Sequence, residues 1–280
     1  MASRRATPAA PLAAYVLHRH DWSESSLILD LWTRAQGRIA VVAKGAKRPH
    51  SQLRSVLLPF QRLHVVLGGR AARRDEAGAD SADSTEIHLL RSAEWAGGHA
   101  ESDGPPATAM PAGAALLAGF HLNELLLRGL ARHDAHPRLF DAYALTLAQL
   151  ARDDEAQTAA ALRAFELWLL RESGVLPALD CVTLTQAPVQ AASRHALHPE
   201  GGVLALADDT PGLGGALLRA LETALAAGDL GALQQACRGA LPELRAGLRG
   251  LLHYHLGTSR LRTRTLMVEV QQLIDPPPSP

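Results

Sequence analysis

The segment Lys44-Gly45-Ala46-Lys47-Arg48-Pro49-His50-Ser51 is the densest piece of chemistry in the sequence. Lys44 and Lys47 are the only lysines among 280 residues, and Arg48 follows directly. Gly45 lets a second molecule approach the backbone, because no Cβ stands in the way. Pro49 ends a preceding strand, since it has no N–H for a ladder. Cations on a loop leaving a strand are suited to phosphate oxygens. A solvated hairpin would carry the same composition. The loop is not of Walker A type, because the required Gly spacing before a Lys-Ser/Thr pair is absent.

The charge around this loop is one-sided. Residues 1–74 hold 13 of the 28 basic residues but only Asp21, Glu24 and Asp30 of the acids, a net +10. The remainder carries −10, so the neutral total hides a polarised chain. Such asymmetry points to a polyanion partner for the first part. Arg34, Arg38, Arg54 and Arg70 join Lys44, Lys47 and Arg48 as candidate phosphate contacts. A second cluster, Arg260, Arg262 and Arg264, is preceded by Arg245 and Arg249. It reads either as an extension of a DNA track or as the solvent face of a last helix. Aromatics are scarce, at 4%. Of Tyr15, Trp22, Trp32, Phe60 and Trp95, several alternate with aliphatics and read as core. The expected grip is therefore electrostatic, with little base stacking.

Enzyme chemistry finds little support. The sequence has no HExxH, G-x-S-x-G, CxxC or strand-linked GxGxxG. His18, His20 and Asp21 cluster, which admits a metal-dependent hydrolase, but such a group at a strand end reads first as surface polarity. Cys181 and Cys237 give neither a disulfide framework nor a zinc site by themselves. Both read as small core residues. No catalytic residue, metal or cofactor is expected.

The elements that must hold these residues fall into two kinds. Short period-two runs at Tyr15–His20, Ser26–Thr33, Arg38–Lys44, Gln61–Leu67 and Glu86–Glu94 predict five strands. Five strands in about 85 residues suit a small closed barrel, with the OB-fold the leading candidate. Residues 70–85 predict a long loop with an acidic stretch at 75–83, and 97–111 a Gly/Pro/Ala linker. From Ala112 the period becomes helical. Leu116, Phe120, Leu127 and Leu130 mark a stripe on a helix apolar nearly all round. Further helices are expected from Pro137 to Arg152 and from Thr158 to Glu172, the latter with Leu162, Phe165, Trp168 and Leu169 inward. Residues 177–212 lose the period and predict an irregular insert with two short strands. Helices resume at Leu213–Ala227, Leu230–Arg238, Pro242–Leu256 and Leu261–Ile274.

The expected class is α+β multidomain, an N-terminal OB-fold barrel followed by an all-α domain with a small insert. The boundaries are a tail at 1–11, the OB-fold at 12–98 and a linker at 99–111. The helical parts are 112–176 and 213–275 around the insert 177–212, with a tail at 276–280. No run approaches the length of a membrane span, and Met1–Pro11 lacks the apolar stretch of a signal peptide. A cytoplasmic, nucleoid-associated protein is expected.

A set of ordered segments adds a resemblance. They are YVLHRHDWSESSLILDLWT from Tyr15, GRIAVVAKGAKRPHS from Gly37, LLPFQRL from Leu57 and EIHLLRSAE from Glu86. HLNELLLRGLARHDAHPRLFDAY from His121, LRAFELWLL from Leu162 and HYHLGTSRLRTR from His253 continue the series. Each is weak alone, but in this order and spacing they cover most of the chain and resemble the RecO family of recombination mediators. The resemblance implies binding of single- and double-stranded DNA and annealing of complementary strands. It also implies help in loading RecA onto DNA coated by single-stranded-DNA-binding protein (SSB). Implied partners are RecR and the SSB C-terminal tail. That tail is acidic with an apolar end, so its receptor needs an apolar pocket with a cation at the lip. By resemblance Arg163 is the first candidate for that lip, with Arg128 and Arg132 behind it. A surface Arg163 paired with Glu166 or Glu155 is the plain alternative. Many family members hold zinc with four cysteines in the insert. Here only Cys181 remains, with His195 and His198 nearby, too few for a zinc-finger arrangement. A generic OB-fold binder of nucleic acid, RNA included, is the alternative function.

Overall fold

The structure is a computed structural model and describes residues 10–70, 87–96, 110–152, 154–207, 209–257 and 261–274. The tails, the acidic stretch 75–83, most of the linker and Arg260 lie outside the described residues. The chain divides into two compact units. One is residues 1–108 with Ala131–Phe140; the other is Ala109–Leu130 with Asp141–Pro280.

The first unit is built on five strands, β1 (Leu12–Asp21), β2 (Leu27–Thr33), β3 (Gly37–Ala43), β4 (Leu63–Arg70) and β5 (Ile87–Trp95). A short helix, α1 (Gln52–Val56), lies between β3 and β4. The strands close in the order β1-β2-β3-β5-β4, with only β3 and β5 parallel. This is the five-stranded OB arrangement that the alternation predicts. Leu29, Leu31, Ile39, Val41, Leu63 and Val65 fill the barrel.

The alternation of β2 is less clean than its sequence suggests. Leu29 and Leu31 face the interior, yet Asp30 and Trp32 on the other face are buried too. Segment 131–140 covers that outer face. Phe140 packs on Tyr15 at 5.1 Å and on Trp32 at 5.2 Å between ring centroids. Gly37, at φ 68°, admits the backbone of Asp134 where a Cβ would collide with it. The covered carboxylate of Asp30 is answered by Arg132 at 2.7 Å, Arg38 at 4.0 Å and His20 at 3.5 Å.

The second unit is helical. It holds α2 (Gly113–Gly129), most of α3 (Pro137–Leu150) and α4 (Glu155–Glu172). Strands β6 (Arg194–His198), β7 (Gly202–Ala205) and β8 (Leu213–Gly214) form a small sheet in the order β7-β6-β8. Then come α5 (Gly215–Ala227), α6 (Leu230–Cys237), α7 (Leu241–His255) and α8 (Arg262–Ile274). Asp154 and Asp229 cap α4 and α6 by accepting from Gln157 N and Ala232 N, and left-handed Gly228 closes α5.

Two details differ from expectation. The insert 177–212 holds its two expected strands, but Leu213–Gly214, expected to open a helix, instead forms β8 beside β6, and α5 starts at Gly215. Thr183 Oγ1 accepts from Val203 N to tie the insert's loop to β7. The buried face of α2 is Ala118, Leu122, Leu125 and Leu126, while Phe120 is 38% exposed. A helix apolar nearly all round does not reveal by period which side is covered. Among the described residues, no helix is long and apolar enough to cross a membrane.

Candidate functional site

The basic loop sits beside an open cleft of about 380 Å³ on the barrel, lined by Arg19, Asp21, Leu27, Ala46, Lys47, Arg54 and Leu57. Its charged residues come from three places in the chain. Arg19 and Asp21 end β1, Lys47 belongs to the loop after β3, and Arg54 lies on α1. The β1–β2 turn is fastened to that loop. Lys47 N donates to Ser25 O at 3.0 Å, Gly45 N to Ser26 Oγ at 3.4 Å, and Lys47 Nζ to Ser23 O at 3.2 Å. Gly45 takes φ 71°, and Arg48 N closes a turn back on Gly45 O. The Arg19 guanidinium is steadied by Leu57 O at 3.3 Å. Asp21 pairs with Lys47 at 3.1 Å and is the acid in the cleft.

The candidate DNA contacts separate accordingly. Lys47 and Arg54 line the cleft, and Lys44 and Arg48 are exposed on the same loop. Arg34 lies on the β2–β3 turn, at the far end of that hairpin from the β1–β2 turn. Arg70 ends β4 opposite His88. Arg38 is a correction. It is only 8% exposed, and it balances Asp30 under segment 131–140, so it is a buried partner of the fold and not a surface contact. Arg19 was missed. The hint was the unbroken polar run His18-Arg19-His20-Asp21, all exposed at the end of β1.

The aromatics also divide. Tyr15, Trp32 and Phe60 are core as expected. Trp22 and Trp95 are not, at 59% and 51% exposure. Trp95 Nε1 donates to Val56 O, while Trp22 stands on the β1–β2 turn.

The helical unit has a second cleft, of about 170 Å³. Leu162, Leu241, Leu252, Leu261 and Met267 give it apolar walls, and Arg163, Arg245, Arg249 and Arg264 surround it. Leu162 and Arg163 come from α4, Arg245 and Arg249 from α7, Arg264 and Met267 from α8. Arg163 donates to Glu166 at 2.7 Å, so the plain pairing and the cleft position hold together. His121 meets the same carboxylate oxygen at 3.3 Å. Burial alone would push the Glu166 carboxyl up, but Arg163, His121 and Arg264 outweigh it and hold it below the ordinary range. Burial, with Arg249 and Arg245 close by, lowers the Arg264 guanidinium, which shows cations crowded together. Glu124 on α2 fixes the start of α8 by accepting from Arg262 N, Thr263 N and Thr263 Oγ1.

Two tail-site candidates are elsewhere. Arg128 pairs with Glu124 at 3.1 Å and is not on this cleft, and Arg132 belongs to the barrel unit on Asp30. Arg264, read with Arg260 and Arg262 as a DNA track, instead shares the cleft with Arg163. Arg262 is exposed on the first turn of α8. Cys237 is buried and its thiol is pushed up to about 12, which suits packing and not nucleophilic attack. Among the described residues, no three His, Cys, Asp or Glu side chains gather as a metal set.

A closed five-stranded barrel with a basic cleft, followed by helices carrying an arginine-lined apolar cleft, defines a protein of barrel-plus-helix type with two cationic clefts. Comparison with known proteins narrows this. Residues 11–75 match the family described as "Recombination protein O N terminal", and residues 110–265 match "Recombination protein O C terminal". DNA repair protein RecO of Polaromonas naphthalenivorans is 49% identical over 262 residues, 93% of this chain and 96% of the relative. RecO of Variovorax paradoxus is 49% identical over 269 residues, covering 93% and 96%. RecO of Acidovorax ebreus is 48% identical over 286 residues, covering 98% and 100%. The chain belongs to the RecO family of DNA repair proteins.

Proposed function

We propose that this chain is a recombination mediator that binds single- and double-stranded DNA through the barrel cleft. In this reading it anneals complementary strands and helps load RecA onto SSB-coated single strands, with RecR as a partner. The observation that carries the reading is the convergence of Arg19, Lys47 and Arg54 on one open cleft, beside exposed Lys44 and Arg48. Cations so arranged follow a phosphate chain without reading sequence. The helical cleft then receives the acidic, apolar-ended SSB tail. Its leucines supply an apolar floor, and Arg163, Arg245, Arg249 and Arg264 face the carboxylates.

A titration of labelled single-stranded DNA across salt concentrations tests the first half. If roughly 6 phosphates are neutralised, log affinity should fall against log salt with a slope of about −4. A slope near zero rejects an electrostatic grip. Adding SSB-tail peptide shows whether the two ligands compete. Annealing of SSB-coated strands separates a mediator from a general nucleic-acid binder.

A further inference from the structure

Trp22 is the largest exposed side chain on the rigid turn that adjoins the basic cleft. Its position is fixed on both sides. Within the turn, Trp22 N and Ser23 N donate to Ser26 O, and Ser26 N donates to Ser23 Oγ. Outside it, Lys47 reaches back to Ser23 O, the carbonyl next along from Trp22. The preceding residue, Asp21, lines the cleft and holds the Lys47 ammonium. An indole left 59% exposed gains little from folding. Its rigid mount and its neighbouring cations instead match the two requirements of an unpaired nucleotide, a flat face for the base and positive charge for the phosphate.

We propose that Trp22 and the cleft of Arg19, Lys47 and Arg54 form one nucleotide subsite selective for single strands. The base stacks on the Trp22 indole, and the adjoining phosphate enters the cleft and replaces the Asp21 carboxylate on Lys47. A base within a duplex has no free face, so duplex DNA uses the cations alone. This rests on the proposed DNA-binding role of the barrel and adds a stacking contact to it.

The test compares the full-length wild type with Trp22→Ala and Trp22→Phe on oligo(dT) and on a duplex of equal length, at one salt concentration. Trp22→Ala should weaken oligo(dT) binding about tenfold, in the range for loss of one stacked base, and shift duplex binding less than twofold. Trp22→Phe should retain most of the affinity but lose most of the tryptophan quenching by oligo(dT), since Trp32 and Trp168 are buried and the exposed Trp95 does not line the cleft. Equal losses on both DNAs, or unchanged quenching in Trp22→Phe, would overturn the subsite. If the wild type binds and Trp22→Ala binds as well, the inference fails and the barrel reading survives. A wild type that does not bind oligo(dT) ends both.

Discussion

The two clefts carry nearly the same charge and differ in what lies beneath it. On the barrel, Arg19, Lys47 and Arg54 surround an open space with Leu27, Ala46 and Leu57 as its few apolar contributors. On the helices, four arginines surround six apolar side chains, four of them leucines. Positive charge therefore does not distinguish the two clefts; the floor does. A phosphate chain needs cations and solvent access, whereas a peptide with an apolar end also needs buried area. The cations also differ in structural duty. Lys47 pairs with a surface carboxylate, while Arg163 answers Glu166, which is 1% exposed.

The largest expected consequence follows from that last difference. Arg163→Ala leaves a buried carboxylate without its main partner and should cost about 3–5 kcal/mol of stability. Lys47→Ala should cost less than about 1 kcal/mol. Urea midpoints of the two variants compare them directly, and similar losses would break the contrast. The same pair sets an acid dependence. Glu166 is held below its ordinary value of 4.5, so its contribution is complete above that value and is lost as pH falls through the lower folded value. The wild-type midpoint should drop below about pH 4.5, and Glu166→Gln should drop less steeply.

Ligand binding sharpens the contrast without disturbing the fold. Arg245 and Arg249 are exposed, so removing both should leave stability nearly unchanged. Arg245→Ala with Arg249→Ala should weaken an acidic SSB-tail peptide about tenfold, since two charge-assisted contacts are lost. DNA affinity should move less than about twofold, and calorimetry with each ligand checks both. The smallest effect is expected at Asp21. Asp21→Asn frees Lys47 and should raise single-strand affinity about two- to threefold at low salt, an exposed ion pair being worth that little. Filter binding at two salt concentrations would reveal it, and a fall in affinity would mean that Asp21 orders the loop and does not compete for it.

Much of this fold could be read from the residues. Alternation located all five barrel strands, because one face of each meets a common interior. It missed the burial of Asp30 because its cover, segment 131–140, comes from about a hundred residues downstream. Arg38 was misread for the same reason. A cation on a strand looks solvent-facing until the buried carboxylate beside it is known. The loop from Lys44 to Arg48 was legible because its charges are contiguous. The helical cleft was legible only in part. Its arginines come from α4, α7 and α8, and only packing brings Arg163 to Arg264. Trp22 was obscured by being grouped with Tyr15 and Trp32, although its own neighbours, Asp21, Ser23 and Glu24, are polar and mark a turn.

The fastening of α8 to Glu124 has one more consequence. Burial would raise the Glu124 carboxyl, but its hydrogen bonds from Thr263 and Arg262, with Arg128 beside it, keep it low and charged. The same helix supplies Arg264 and Met267 to the cleft, and Leu261 just precedes it. Helix docking and cleft occupancy are thus two faces of one equilibrium. A ligand that touches Met267 or Arg264 tightens the Glu124 clasp by the free energy with which the clasp tightens the ligand. In that sense Glu124, which is not among the cleft's lining residues, sets the baseline against which any visitor to the cleft is weighed.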